Sequence, residues 1–288
     1  MALAMVEGVT EVGQKPLDYK YKFTIGTLVT DYAQYRDCVA SFSRAGFGLD
    51  DCQFLYIDNS KFNSHSAYSG LNHILNHGEG EFIILCHQDV LLDFDKRVDL
   101  EKCLDELSAI DPNWAIAGNA GGVSSGELAI RVSDPHGADQ KTHSFPQAAL
   151  SVDENFIVLK SYSRLAFSAD LGGFHLYGAD LCVLADVQGH SSYVIDFHLR
   201  HLSAGNKSPS FFENEAAFAA KYGRAFASRW VQTTCTLVRL TGNPFGVLLQ
   251  RRISQLAQAF LRRKSLLLDI IQFDAPRWLG KHIGPWGR

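Results

Sequence analysis

The chain has 288 residues, of which 46% are hydrophobic, 11% aromatic and 20% charged. That much apolar surface excludes a mainly disordered protein, and the composition excludes a collagen-like or coiled-coil fibre. The formal net charge of −4 averages two unlike parts: residues 241–288 hold eight Arg or Lys against Asp269 and Asp274, leaving +6 there and −10 in the remainder. An acidic body repels phosphodiester backbones, so nucleic acid is not an expected partner.

The first six residues are apolar, but Glu7 follows at once, without the basic flank and apolar core of a secretory signal. No run reaches the roughly 18 apolar residues of a membrane span. The six cysteines, Cys38, Cys52, Cys86, Cys103, Cys182 and Cys235, form no C-x-x-C pair and several sit in apolar runs. They read as free thiols, and the expected location is cytoplasmic.

Residues 1–20 are unperiodic and read as an N-terminal extension. Residues 23–30 form a β-rich apolar run, 33–44 a helix closed by Gly46 and Gly48, and 52–57 a second strand ending in Asp58-Asn59-Ser60. A helix over 65–77 places Ala67, Leu71, Ile74 and Leu75 on one face, and 82–86 is a third continuous apolar run. Unbroken apolar runs are what parallel strands buried on both faces show, so the opening reads βαβαβ with right-handed crossovers. Helix follows over 100–110 and strand over 114–117, before a glycine-rich loop and a polar, irregular stretch over 124–150. Then come strand (156–159), helix (177–188), strand (192–197) and helix (211–226). The weaker alternation in this half points to a mixed α/β sheet.

Open α/β sheets bind ligands at the carboxyl ends of their strands. Three polar clusters stand at those ends: Thr30-Asp31-Tyr32, Asp58-Asn59-Ser60 and His87-Gln88-Asp89. No G-x-G-x-x-G follows the first strand and no G-x-x-x-x-G-K-[ST] occurs, which disfavours a dinucleotide-dependent dehydrogenase and a P-loop nucleotidase. A carboxylate after the third strand suggests that phosphate charge is met through a hard divalent cation.

These residues resemble the inverting nucleotide-sugar glycosyltransferases of the family 2 type, which have the GT-A fold. The resemblance is carried by Phe23-Thr24-Ile25-Gly26-Thr27-Leu28-Val29-Thr30 with Phe54-Leu55-Tyr56-Ile57-Asp58-Asn59-Ser60, and by Ile83-Ile84-Leu85-Cys86-His87-Gln88-Asp89-Val90 at the place of the metal-binding aspartate-any-aspartate motif. It continues in the acceptor-side segment, Gly172-Gly173-Phe174-His175-Leu176-Tyr177-Gly178-Ala179-Asp180-Leu181-Cys182, followed by Gly189 and by His201-Leu202-Ser203-Ala204-Gly205. It spans about residues 23–225. Two departures stand out: His87 replaces the first aspartate of the metal motif, and the Glu-Asp pair before the acceptor helix is reduced to Ala179-Asp180.

The resemblance implies a three-layer GT-A sandwich with a mixed central sheet over residues 21–228, and a metal-dependent hexosyl transfer with inversion. Asp89 and His201 would hold Mn²⁺ or Mg²⁺. Thr30, Asp31, Asp58, Asn59, His87 and Gln88 would bind a nucleoside diphosphate sugar, UDP-sugar favoured because Asp58 suits a uracil-like edge. Asp180 would take the acceptor hydroxyl proton, with Asp170 as a substitute, and Asp153-Glu154 would lie near the donor sugar. His198 is three residues from His201, and in an extended segment the two point to opposite faces. The acceptor would be a glycan or a lipid-linked sugar in surface polysaccharide synthesis. Rival readings are a non-catalytic GT-A-like binding protein and a metal-dependent nucleotidyltransferase.

Residues 229–288 read as a basic helical C-terminal region. Leu249, Ile253, Leu256, Phe260, Leu267 and Ile271 fall at helical spacings among Arg251, Arg252, Arg262, Arg263 and Lys264. Such an amphipathic segment, 245–273, suits peripheral contact with the anionic inner membrane surface, packing on the body, or homo-oligomerisation.

Overall fold

The computed structural model of the protein describes residues 18–205, 209–234 and 236–242. Residues up to Phe218 belong to one compact unit and those from Ala219 to another. The first unit opens as β1 (Tyr21–Val29), α1 (Tyr32–Arg44), β2 (Cys52–Asp58), α2 (Ala67–His77) and β3 (Gly80–Cys86). β1 lies between β2 and β3 and is parallel to both, with Gly26 opposite Leu55 on one side and Leu85 on the other. The expected βαβαβ unit is present. Its helices begin where short polar side chains satisfy orphan amides: Asp31 accepts from the Ala33 and Gln34 N–H groups, and Ser66 from that of Ser69.

β4 (Val90–Leu91), α3 (Arg97–Ile110) and β5 (Trp114–Gly118) follow. The stretch read as irregular is largely strand: β6 (Ala120–Ser124), β7 (Glu127–Asp134), β8 (Gly137–Lys141), β9 (Gln147–Ala148) and β10 (Ser151–Val152). β11 (Phe156–Lys160), α4 (Tyr177–Val187), β12 (Ser191–Val194), β13 (Leu199–His201) and α5 (Pro209–Ala225) complete the series.

Seven strands form the central sheet in the order β2-β1-β3-β11-β5-β12-β9. β11 runs antiparallel to both β3 and β5, so the sheet is mixed. Alternate residues of β3 serve two cores. Phe82, Ile84 and Cys86 pack with Phe42 of α1 and Leu100, Leu104 and Leu107 of α3. Ile83 and Leu85 pack with Leu71 and Ile74 of α2 and Leu181 and Ala185 of α4. The result is the expected three-layer mixed α/β sandwich, helices on both faces of one sheet. Gly26 is what lets α2 approach: a Cβ there would sit 2.3 Å from Ile74 Cγ2. A second sheet in the order β10-β6-β7-β13-β4, with β8 on β7, stands beside it.

The second unit contains an antiparallel hairpin, β14 (Arg229–Gln232) and β15 (Leu237–Leu240). These residues fall in the region expected to be helical and are strand instead. Their Trp and Val residues suit a pleated ribbon better than a helix. The amphipathic segment 245–273 lies outside the described residues. Among those described, no helix is long and apolar enough to cross a membrane, and Cys38, Cys52, Cys86, Cys103 and Cys182 are free thiols.

Candidate metal and ligand site

Parallel pairing puts the ends of β1, β2 and β3 side by side, with Val29 opposite Asp58, so the three polar clusters gather at one edge of the sheet. Beyond β3 the chain turns through residues 87–89 into β4, which pairs antiparallel with β13. That short ladder sets His201 opposite Val90, and the Leu202 N–H donates to the Asp89 carbonyl at 3.1 Å. His201 is thereby delivered to the 87–89 turn although more than a hundred residues separate them.

Three side chains converge there. His87 Nδ1 lies 3.2 Å from His201 Nε2, which lies 3.4 Å from Asp89 Oδ1 and 3.1 Å from Ser203 Oγ. One ligand atom from each of His87, Asp89 and His201 falls within 4.8 Å of the others. The donor set fits a divalent ion, because ligand atoms about 2.0–2.2 Å from one metal stand roughly 3.0–3.6 Å apart. Asp89 and His201 are each 8% exposed, and His87 is half-buried.

The electrostatics suit ligation. Burial lowers the His87 pKa, with His201 adding to the effect, and so favours the neutral imidazole. Burial acts to raise the Asp89 carboxyl, but hydrogen bonds from His201 and Ser203 and the nearby His87 bring it down to about 2. His87 Nε2 lies 2.9 Å from the Tyr177 hydroxyl, which donates to the Glu154 carbonyl at 3.1 Å. Beside them a small pocket is lined by Leu28, Leu71, Leu85, Cys86, His87, Glu154 and Tyr177. Burial, with Asp153 beside it, pushes the Glu154 carboxyl up to about 8 against the opposing amides of Gly178, Tyr177 and Leu176.

The other expected residues divide into exposed and framework groups. Asp58 is exposed, and its carboxyl is lowered first by Ser60, whose N–H donates to it at 2.9 Å, and also by Tyr32. Tyr32 and Tyr56, 44% and 50% exposed, stand edge to face with ring centroids 6.2 Å apart. Their open faces beside Asp58 could receive an aromatic base, a feature hidden in the sequence because Tyr32 and Tyr56 lie on different elements.

Asp31 caps α1 through one carboxylate oxygen, Oδ1. Gln88 Oε1 accepts from the Thr30 and Asp31 N–H groups at 2.7 and 2.9 Å, while its Nε2 donates to Thr30 Oγ1 and Gln34. Gln88 thus staples the end of β1 to the metal motif. Asn59, 3% exposed, bonds to Ser64 and His65 and shapes its own loop. Thr30, Asp31, Asn59 and Gln88 thus take part in the framework around the sheet end, with Thr30 and Asp31 also exposed.

Asp180, expected as the proton acceptor, is enclosed by protein. It is 0% exposed, and its carboxylate accepts from the Ser168 N–H at 2.9 Å and the Ser168 hydroxyl at 2.6 Å. It anchors the 168 segment to the first turn of α4, where the helix dipole favours an anion. Asp153 is exposed, lies on the turn between β10 and β11, and raises the His87 pKa through its charge. Gly178 keeps α4 against that turn, since a Cβ there would sit 2.3 Å from the Val152 carbonyl oxygen. His198 has different partners from His201: it bonds Ser133 Oγ at 2.9 Å and stacks on Phe94 at 3.9 Å.

The chain matches no family model. Among solved structures it is similar to the mannosyltransferase PcManGT from Pyrobaculum calidifontis in complex with GDP-Man and Mn²⁺, with TM-score 0.48 and 11% identity over 72% of this chain and 66% of that one. It is also similar to S. aureus TarS 1–349 in complex with UDP-GlcNAc, with TM-score 0.44 and 13% identity over 69% of this chain and 66% of that one. The chain thus spans just under two thirds of each solved chain. In sequence it is 34% identical over 226 residues to the protein "ATP synthase subunits region ORF 6" of Fuscovulum blasticum, spanning 76% of this chain and 91% of that protein. The chain therefore belongs to the family of that Fuscovulum blasticum protein.

Proposed function

We propose that the protein is a metal-dependent glycosyltransferase that moves a sugar from a nucleoside diphosphate sugar to a hydroxyl acceptor with inversion at the anomeric carbon. The observation that carries this reading is the convergence of His87, Asp89 and His201 within 4.8 Å at the carboxyl edge of the sheet that also ends in Asp58. The motif order that resembles the family 2 type enzymes supports it.

A bound dication would neutralise charge on the diphosphate as it leaves. Asp58 would accept a hydrogen bond from the base edge, with Tyr32 and Tyr56 against its face, which favours a uracil nucleotide. The acceptor oxygen attacks the anomeric carbon as its proton passes to a carboxylate. The bond from that carbon to the donor phosphate breaks, and its electron pair leaves with the nucleoside diphosphate. Asp153 is our choice for the carboxylate, because it is exposed and near the cluster whereas Asp180 is not. A glycan or lipid-linked acceptor, a cytoplasmic site of action and membrane contact through 245–273 belong to the same proposal.

The sequestration of Asp180 favours a second reading, a binding protein that holds nucleotide sugar without transferring it. Incubation with Mn²⁺ and a panel of nucleotide sugars separates the two. Release of nucleoside diphosphate from one donor, slowly even to water, supports the transferase; Mn²⁺-dependent binding without release supports the second reading. Absence of Mn²⁺-dependent binding for every donor overturns both.

A further inference from the structure

We propose that Tyr177 is a positioning residue that holds His87 in the Nε2–H tautomer and so turns its Nδ1 lone pair toward Asp89 and His201, making a two-histidine, one-carboxylate centre that selects transition-metal dications over Mg²⁺. The proposal rests on reading this cluster as a metal centre, as above, and adds a ligand atom, the residue that sets it and a metal class.

The tautomer follows from counting hydrogens. A phenol has one, and that of Tyr177 is directed to the Glu154 carbonyl oxygen at 3.1 Å, which can only accept. The contact of 2.9 Å between the same phenol oxygen and His87 Nε2 is then a hydrogen bond only if the imidazole donates. With hydrogen on Nε2, the neutral ring has its lone pair on Nδ1. That atom faces His201 Nε2 at 3.2 Å and the interior of the cluster. A hydrogen bond to the distal nitrogen of a ligating histidine commonly fixes ring and tautomer in this way.

The metal class follows from the donors. Mg²⁺ is bound through oxygens and retained water, in near-octahedral order, and gains little from imidazole. Two imidazole nitrogens with one carboxylate oxygen suit first-row transition dications. The separations of 3.2 and 3.4 Å match the edges of such a coordination shell.

The test uses the metal-free full chain without nucleotide. Imidazole ¹⁵N NMR should show His87 protonated at Nε2 and bare at Nδ1, and Tyr177→Phe should give mixed tautomers. Titration with Co²⁺, followed by visible absorption and calorimetry, should show one site, with Mg²⁺ at least tenfold weaker. Tyr177→Phe should weaken Co²⁺ binding by about 10–100-fold with near-UV dichroism retained, and His87→Ala should weaken it further. A bare His87 Nε2 in the wild-type chain, Mg²⁺ binding equal to that of Co²⁺, or Co²⁺ affinity unchanged by His87→Ala would overturn the proposal. Mn²⁺-dependent nucleotide-sugar binding alongside any of those results would leave the glycosyltransferase reading standing. Co²⁺ binding as described with no nucleotide-sugar binding would sink that reading alone.

Discussion

His87 Nδ1 and His201 Nε2 stand 3.2 Å apart although 114 residues separate them, and Asp89 closes the group from the His201 side. Two ring nitrogens at this distance, beside a carboxylate, place three ligand atoms within 4.8 Å of one another, close enough to serve one cation. The following predictions test what each neighbouring group contributes.

Asp89→Ala removes the one carboxylate of the cluster. Wild-type protein at about 100 times the Mn²⁺ dissociation constant should gain about 2.7 kcal/mol, or roughly 5–10 °C in Tm for a domain of this size. The variant should lose most of that gain while melting as the wild type does without metal. A full Mn²⁺ shift in thermal-shift measurements would remove Asp89 from the metal.

Asp180→Asn should act on stability rather than chemistry. The buried carboxylate accepts two bonds from Ser168, and Asn would turn donor hydrogens toward at least one of those donors. A loss of about 1–3 kcal/mol is expected, visible as a lower denaturant midpoint, with Mn²⁺ affinity retained. A variant of unchanged stability that binds donor but fails to transfer would restore Asp180 as the base.

Asp153→Asn should lower transfer at least 100-fold, the lower range for loss of a general base, with donor and Mn²⁺ affinities within threefold of wild type. The readout is nucleoside diphosphate release against acceptor concentration. Undiminished turnover would exclude Asp153 as the proton acceptor.

Glu154 gives the protein a definite pH signature. Its carboxyl rises from 4.5 to about 8 through burial, then the charge of Asp153. The folded state therefore binds the proton more tightly than the unfolded state, so the contribution to stability is full below pH 4.5 and lost as pH rises through about 8. Glu154→Gln should flatten that slope, gaining on the wild type between pH 5 and pH 9 in Tm measurements. Parallel profiles for the two proteins would contradict the assignment.

The opening βαβαβ was legible because unbroken apolar runs such as Phe82–Ile83–Ile84–Leu85–Cys86 leave little choice but a strand buried on both faces. The strands over 120–141 were not legible. Gly121 and Gly122 weaken the local preference, and the polar Gly137–Lys141 strand is held by pairing with β7. Asp89 and His201 could be read as partners only through the family resemblance, because what joins them is a ladder of two residue pairs between β4 and β13. The burial of Asp180 was not legible for a physical reason. An aspartate in the first turn of a helix looks alike in sequence whether it faces a substrate or a buried serine, and Ser168, twelve residues earlier, gives no local signal. Tyr177 was visible as the start of a helix in the acceptor-side segment, with no sign of its contact with His87, which spans 90 residues.

The most direct measurement is calorimetric titration of UDP-sugars into the protein with Mn²⁺ and again with a chelator, on wild type and Asp89→Ala. The account predicts one binding site in the wild type with Mn²⁺, and its loss on chelation or in the variant. Binding of equal affinity with chelator, or in Asp89→Ala, would contradict a metal-dependent nucleotide-sugar site at this cluster.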